Sequence, residues 1–137
     1  MKLLTEVEKI LDSYDLTVKI PKKYSNIYEY EKKKPTLVGK KFSHPVLNDS
    51  ELIKKYRSHI IPGHYGFSIG SPTPKNWWEV IDKIIEFLIK NDPDFGIAQI
   101  KTKWGGIRFY IESEKIEDIF DIEDLIESKL HSEHLIF

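Results

Sequence analysis

The chain has 137 residues, of which 40% are hydrophobic and 31% charged, ordinary values for a globular protein with a sizeable core. This composition excludes a disordered tail and a collagen-like repeat, and no apolar run approaches the roughly 20 residues of a membrane span. A formal net charge of -1 excludes the uniformly basic surface of a dedicated nucleic-acid-binding protein, and the lack of cysteine excludes disulfides and thiolate chemistry. Because no signal-peptide pattern follows Met1, the sequence predicts one cytoplasmic domain over residues 1–137.

The first part of the chain predicts two helices, short strands and a basic segment. Apolar residues recur at helical spacing from Leu3 to Tyr14, where Thr5 and Glu8 form a capping-box pattern, and residues 16–20 alternate as a strand does. The basic segment, residues 19–41, holds eight lysines against two glutamates, with tyrosines interleaved. It suits either an acidic or phosphorylated partner or a solvated loop with a guarded edge strand. A short strand is predicted at 35–39, and a second helix from about residue 48 to Pro62-Gly63.

A glycine-rich loop leads into the central helix. Residues 64–72 show neither a strand nor a helix period, and they lack the lysine–hydroxyl pair of a phosphate loop. Thr73 is predicted to cap the next helix, with Pro74 at its first position. Its apolar stripe runs from Trp77 to Leu88 and covers about half of the helix circumference, which predicts a central helix packed on a sheet and on another helix.

A β-hairpin and a C-terminal helix complete the predicted domain. Strands over 97–103 and 107–113 join at Trp104-Gly105-Gly106, and the two glycines are predicted to supply the positive φ of the turn. In the second strand Ile107, Phe109 and Ile111 share one face, and Arg108, Tyr110 and Glu112 share the other. Apolar residues from Ile116 to Leu130, Phe120 among them, predict the helix, with an acidic ladder of Glu114, Glu117, Asp121 and Asp124 opposite. The expected fold is α+β, with a small, mostly antiparallel sheet and helices packed on one face.

The hairpin also carries the candidate binding site. The candidate residues are cationic or aromatic side chains around the double-glycine turn and the preceding loop and helix: Lys101, Lys103, Trp104, Arg108, Tyr110, Tyr65 and Trp77. Whether Lys101 and Lys103 share a sheet face with Arg108 and Tyr110 depends on the strand register, which the sequence does not give. A shared face would suit a phosphate or a carboxylate. In the structural alternative, Arg108 pairs with an acid of the C-terminal helix and Trp104 caps the core.

Catalytic and metal chemistry have little support in the sequence. His131 and His134 would share a helix face, but no third ligand is evident. His59 is predicted to be a half-buried packing residue, and neither it nor His64 has an evident nucleophile or carboxylate partner. We therefore expect no enzyme, no metal and no cofactor.

Three segments together resemble a family of small, uncharacterised proteins of bacteria, phages and prophages. They are Gly66-Phe67-Ser68-Ile69-Gly70, the helix that starts at Trp77, and Lys101-Thr102-Lys103-Trp104-Gly105-Gly106-Ile107-Arg108-Phe109-Tyr110. The family signature reads G-F-x-x-G, a tryptophan-led amphipathic helix and K-x-K-F-G-G-L-R-F-Y, and the likeness covers residues 56–112. Many relatives also carry a C-terminal Cys-x-x-Cys-Gly, which this cysteine-free chain lacks. The resemblance implies no activity. It implies a bacterial or phage origin, in a mobile-element setting where immunity and anti-defence proteins are common.

Two hypotheses about function remain open. In the first, the protein is an inhibitor that binds a toxin or a defence protein, with the basic segment 19–41 and the acidic C-terminal helix as opposite patches that would equally pair head to tail in a homodimer. In the second, a nucleotide or another phosphorylated small ligand binds between Gly66–Gly70 and the Lys101/Arg108 hairpin. Nucleic acid is not expected as a partner, because the acidic helix would repel a duplex, and no membrane partner is expected.

Overall fold

The computed structural model describes residues 1–25, 29, 49–64, 66–68, 75–103 and 105–135. The helices in these ranges are α1 (Leu4–Asp12), α2 (Asp49–Lys55), α3 (Lys75–Asn91) and α4 (Ile119–Lys129), and a short 3-10 helix follows α2 at Arg57–His59. The strands are β1 (Val18–Pro21), β2 (Gly66–Ser68), β3 (Gly96–Lys103), β4 (Gly106–Glu112) and β5 (Ser132–Leu135). No helix among them has the length and apolar character needed to cross a membrane. The strand predicted at 35–39, most of the basic segment and the predicted cap at Thr73-Pro74 lie outside the described residues.

The described strands form two sheets. One sheet has the order β2-β3-β4, with β2 parallel and β4 antiparallel to β3, and the other pairs β1 with β5 in parallel. The predicted α+β class is confirmed, and the predicted hairpin is the longest pairing. Two of the three pairings in the described part of the chain are nevertheless parallel, because a helix crossover such as α3, between β2 and β3, returns the chain in its original direction.

The loop predicted over residues 64–72 is wrong at strand β2. Gly66–Ser68 is extended and pairs with Gln99–Lys101 of β3. Of its three residues, Phe67 contributes a buried apolar side chain, with 4% of its surface exposed. A strand with a single apolar residue has no period to detect, so tertiary pairing alone makes this segment a strand.

Helix α3 and one face of the hairpin, called here the inner face, contribute many of the residues of the buried core. From α3 come seven apolar side chains that are at most 3% exposed: Trp77, Trp78, Val80, Ile81, Ile84, Ile85 and Leu88. From the hairpin come Ile97, Ile100, Ile107, Phe109 and Ile111, at most 4% exposed. The predictions of a central helix and of an apolar hairpin face are confirmed. Burying each of these larger side chains stabilises the fold by about 1.5–3 kcal/mol relative to exposing it.

A β-bulge in β3 allows both of its isoleucines to reach this core. Ile97 pairs with Ile111 and Gln99 pairs with Tyr110, so an advance of two residues along β3 matches an advance of one residue along β4. Ile97 and Ile100 are three residues apart and would lie on opposite faces of a regular strand. The bulge shifts the alternation, and both side chains are fully buried.

Helix α1 is capped by a residue from the far end of the chain. The Asp118 carboxylate accepts the backbone N–H of Leu3, 3.1 Å from each carboxylate oxygen, and that of Leu4 at 2.9 Å. The capping box predicted from Thr5 and Glu8 is wrong, because Leu3 occupies the cap position and no local side chain caps the helix. Asp118 is 9% exposed and fills that role across the tertiary structure.

Helix α4 is shorter than predicted. It begins at Ile119, so Glu114 and Glu117 precede it, and the acidic ladder within the helix is reduced to Asp121 and Asp124. Phe120, assigned to the apolar stripe by its spacing, is instead 75% exposed. Periodicity finds the apolar arc but does not show which residue at its margin faces water.

Replacing Asp118 with alanine is expected to lower the free energy of unfolding by about 2 kcal/mol, because two backbone N–H groups lose a charged acceptor in a buried position. Urea denaturation of Asp118→Ala measures the loss. The matched control is Asp121→Ala, at an exposed position of the first turn of α4, where the expected cost is below about 0.5 kcal/mol. Equal losses in the two variants would contradict the capping role.

Candidate functional site

The hairpin register brings the predicted polar residues together. Lys101 lies directly opposite Arg108, and Gln99 lies opposite Tyr110. Directly opposed residues of adjacent strands share a sheet face, so Lys101, Arg108 and Tyr110 lie together on the outer face, opposite to the buried residues of the inner face. The burial of β4 alternates accordingly: Arg108 is half-buried, and Tyr110 and Glu112 are exposed.

The other candidate residues are not added to this surface. Lys103 ends β3 opposite Gly106, next to the turn. The prediction that both glycines supply a positive φ is wrong for Gly106: Gly105 has a φ of 80°, whereas Gly106 is already part of the extended strand β4. Trp77 is fully buried, and its indole Nε1 donates a hydrogen bond to the Leu16 carbonyl at 2.9 Å. That contact places Trp77 in the core. Tyr65 and Trp104 lie outside the described residues.

Lys101 and Arg108 are two like charges facing each other across the strands. Like charges in directly opposed positions destabilise a sheet. Neither side chain forms a salt bridge with an acidic residue in the described part of the chain. The structural alternative, with Arg108 paired to an acid of the C-terminal helix, is therefore not what these residues show. The pair leaves a concentrated positive charge on the outer face, which an anionic group would neutralise.

Strand β2, which forms the first part of the Gly66–Gly70 segment, lies beside β3 in the same sheet. Ser68 pairs with Lys101, and Gly66 pairs with Gln99. The pairing brings the first residues of the Gly66–Gly70 segment beside the hairpin, as the hypothesis of a phosphorylated ligand requires. Ile69 and Gly70 lie outside the described residues.

Carboxylates of α4 hold the free edge of β4. The Glu127 carboxylate accepts the Phe109 N–H at 3.1 Å, and the Ile111 backbone hydrogen-bonds to the Glu123 carboxylate. The Ile107 N–H donates to the Leu130 carbonyl at 2.9 Å. The outward N–H groups of β4 thus have acceptors, which protects the edge from pairing with other chains and fixes the hairpin against the helix.

Glu123 is electrostatically unusual among these carboxylates. Burial raises its pKa from the ordinary 4.5 to about 7; the hydrogen bond from Ile111 opposes this shift, and the neighbouring Glu127 and Asp124 charges add to it. The folded protein therefore binds this proton more tightly than the unfolded chain. The resulting stabilisation is present at low pH and is lost as the pH rises from about 4.5 to about 7.

The other buried carboxylates have structural partners. Asp82 accepts hydrogen bonds from the Tyr56 hydroxyl at 2.5 Å and the Lys55 Nζ at 2.9 Å, which joins α2 to α3. Burial, followed by this contact with Asp82, raises the pKa of Tyr56 far above its usual range and keeps its hydroxyl a donor. Asp92 accepts the Ser113 hydroxyl at 2.5 Å, which joins the end of α3 to the end of β4. Both buried carboxylates thus have hydrogen-bond partners within the fold, so their burial has a structural explanation.

The histidines do not form a metal site in the described ranges. His59 is half-buried, with its Nδ1 3.0 Å from the Phe95 carbonyl oxygen, which confirms it as a packing residue, and His64 is exposed. The helix predicted to bring His131 and His134 together ends at Lys129, and the chain there is extended as β5. No three histidine, aspartate or glutamate side chains among the described residues are grouped to hold a metal ion.

A cavity of about 330 Å³ lies at the opposite end of the hairpin from its turn. Its lining is predominantly acidic and consists of Ile61, Asp92, Asp94, Gly96, Glu112, Ser113, Glu114 and Lys115. The negative charge of this lining is unsuited to a phosphate. The cavity and the Lys101–Arg108 pair are therefore separate features of the molecule.

Sequence reasoning left four residues of this region out of the candidate site. Gln99 lies on the outer face beside Tyr110, and Glu112 lies at the far end of the same row. Strand alternation identifies Glu112 as an outer residue, whereas the bulge hides Gln99 from simple alternation. The roles of Glu123 and Glu127 depend on contacts between α4 and β4, which no local pattern encodes.

Comparisons with models of known protein families, with curated proteins and with solved structures returned no match. The resemblance to small phage and bacterial proteins, carried by the hairpin motif and the preceding helix, therefore stays a prediction. The geometry of the outer face is the remaining guide to function.

Replacing Lys101 with glutamate is expected to raise the free energy of unfolding by roughly 0.5 kcal/mol, because the change turns a like-charge cross-strand pair into an attractive one. Urea denaturation measures the gain, and Lys101→Gln should give a smaller one. A clear loss of stability in both variants would show that Lys101 supports the fold.

Replacing Glu123 with glutamine is expected to stabilise the protein at about pH 8 by on the order of 1 kcal/mol, and to have little effect at about pH 5, because only the higher pH ionises the native carboxyl. The amide oxygen still accepts the hydrogen bond from Ile111. Thermal unfolding at both pH values tests this, with Glu8→Gln at an exposed position of α1 as the control. A stabilisation that does not change with pH would contradict the assignment.

Proposed function

We propose that this protein is a non-enzymatic, cytoplasmic binding protein of bacterial or phage origin that recognises an acidic surface of a protein partner through the outer face of the β3–β4 hairpin. The observation that carries the proposal is the Lys101–Arg108 pair, two opposed cations without an acidic partner in the described part of the chain. Such a pair costs stability in the isolated protein, and a bound carboxylate offsets that cost.

The chemistry of the outer face suits a protein partner. The Arg108 guanidinium presents forked donors that match a carboxylate, and Lys101 adds a second positive charge opposite to it. Tyr110 is 43% exposed and supplies the aromatic contact area that binding surfaces use as an anchor. The resemblance to phage and prophage proteins makes a toxin or a defence protein the proposed partner, and immunity or anti-defence the proposed role.

The shape of the site favours a protein partner over a small ligand. Small-molecule sites are concave, and the cavity bounded by Glu112 and Asp92 is acidic and lies away from the cationic pair. The open sheet face instead suits the larger surface of a protein. A phosphorylated ligand is the second candidate, and the pairing of Ser68 with Lys101 favours it, because β2 places backbone beside the cationic pair.

A titration followed by NMR of the labelled protein tests both candidates. An oligoglutamate peptide serves as the acidic probe, and inorganic phosphate serves as the small-anion probe. We expect the peptide to shift the backbone resonances of Gln99, Lys101, Arg108 and Tyr110, and Arg108→Gln to weaken its binding about tenfold. The matched control, Lys83→Gln, removes one positive charge from an exposed position of α3 and should leave the affinity unchanged.

The outcomes divide clearly. Peptide binding that depends on Arg108 supports recognition of an acidic protein. Tight, Arg108-dependent binding of phosphate with no effect of the peptide would favour the phosphorylated ligand instead. Binding of neither probe, or shifts confined to other surfaces, would reject the outer face as the site.

A further inference from the structure

The outer face of β4 carries a self-complementary row of side chains. Arg108, Tyr110 and Glu112 occupy alternate positions of the strand, so a cation, an aromatic ring and an anion follow one another along one face. Arg108 is half-buried, Tyr110 is 43% exposed and Glu112 is exposed. The two charged residues are four positions apart, about 13 Å along the strand, too far for them to pair with each other.

This row matches a second copy of itself. A two-fold axis that lies between two facing sheets, runs across the strands and passes Tyr110 reverses the direction of β4. It places Arg108 of each copy against Glu112 of the other, with the two Tyr110 rings at the centre. Closed two-fold contacts of this kind require a patch that complements itself, and the row has that property.

Helix α4 extends the acidic half of the surface. Because Glu123 binds the backbone of Ile111, the first turns of α4 lie beside the end of β4 that carries Glu112. Phe120 is one turn before Glu123 and is 75% exposed, and Asp124 is exposed on the next turn. The helix beside the acidic end of the row thus carries an exposed apolar residue, while the basic end of the row has Lys101 beside Arg108.

We propose that the protein forms a two-fold dimer through the outer face of its hairpin, with Arg108 of one copy bound to Glu112 of the other at two equivalent contacts. The inference rests on the proposed function in one respect, since the same basic pair serves both. In the dimer, the acidic end of a second copy occupies the basic end of the row. An acidic protein partner must therefore displace the second copy before it binds.

Sedimentation equilibrium of charge-exchange variants tests the dimer. Arg108→Glu gives a row with two anions, and Glu112→Arg gives a row with two cations, so each variant should repel its own copies. The exchange of both residues in one chain, R108E/E112R, keeps the composition and the net charge and restores the complementary row. An equimolar mixture of the two single variants should also pair, because each supplies the charge that the other lacks.

We expect the wild type to sediment as a dimer at about 0.01 M salt and to dissociate toward monomer at about 1 M, where the Debye length falls to about 3 Å. Each single variant should self-associate about 100-fold more weakly, because both symmetric contacts become repulsive. The double exchange and the mixture should return to the dimer mass. Tyr110→Ala, which changes no charge, should also weaken the dimer.

Three results would overturn the dimer: a wild type that is monomeric at low salt, single variants that still dimerise, or a double exchange and a mixture that both stay monomeric. Circular dichroism verifies the fold of each variant, and the mixture of single variants replaces the double exchange if that chain does not fold. Lys83→Glu, at an exposed position of α3, changes the net charge as much as Arg108→Glu does and should leave the dimer intact. A monomeric wild type whose binding of oligoglutamate depends on Arg108 would reject the dimer and leave the proposed function standing.

Discussion

The arrangement of the molecule depends on acidic side chains of α4 and its N-terminal flank that accept backbone N–H groups of other elements. Asp118 accepts N–H groups at the start of α1, and Glu123 and Glu127 accept N–H groups at the edge of β4 that does not pair with β3. Each contact satisfies a donor that would otherwise lack a partner where α4 covers it. Together they fix α4 against α1, from the start of the chain, and against β4, the strand that precedes it. The hairpin that carries the outer face is held in place by these contacts. These three acids therefore stabilise the fold through contacts with other elements.

The parts of the fold that a short segment determines were predictable. The hairpin follows from two β-rich runs joined at Trp104-Gly105-Gly106, and α3 follows from its broad apolar stripe; the structure agrees with the bounds of the two hairpin strands within one residue. The remaining features depend on distant contacts. β2 is a strand because β3 is beside it, and α1 is capped by Asp118, more than a hundred residues away. No window of sequence contains both partners, so no pattern within one window indicates the pairing.

The candidate site divides in the same way. Alternation placed Arg108 and Tyr110 on one face of β4, but only the register showed that Lys101 joins them. Trp77 illustrates the opposite case: an aromatic residue in a motif suggests a binding role, whereas its indole spans the core to the Leu16 carbonyl. A motif match is compatible with either role, because core packing and ligand binding favour the same large aromatic side chains. Burial and hydrogen-bond partners decide between the two.

The bulge in β3 divides the hairpin into two parts, and the alternation of inward and outward side chains is set separately in each part. On the turn side, the alternation that places Lys101 outward is set by Ile100 and by the turn; on the other side, Ile97 sets the alternation independently. A change of chain length at Ala98 would therefore reverse the inward and outward residues at the cavity end only, while the cationic pair keeps its orientation. The bulge therefore allows the sequence and length of the cavity end of the hairpin to change during evolution, while the charge pattern at the turn end stays the same.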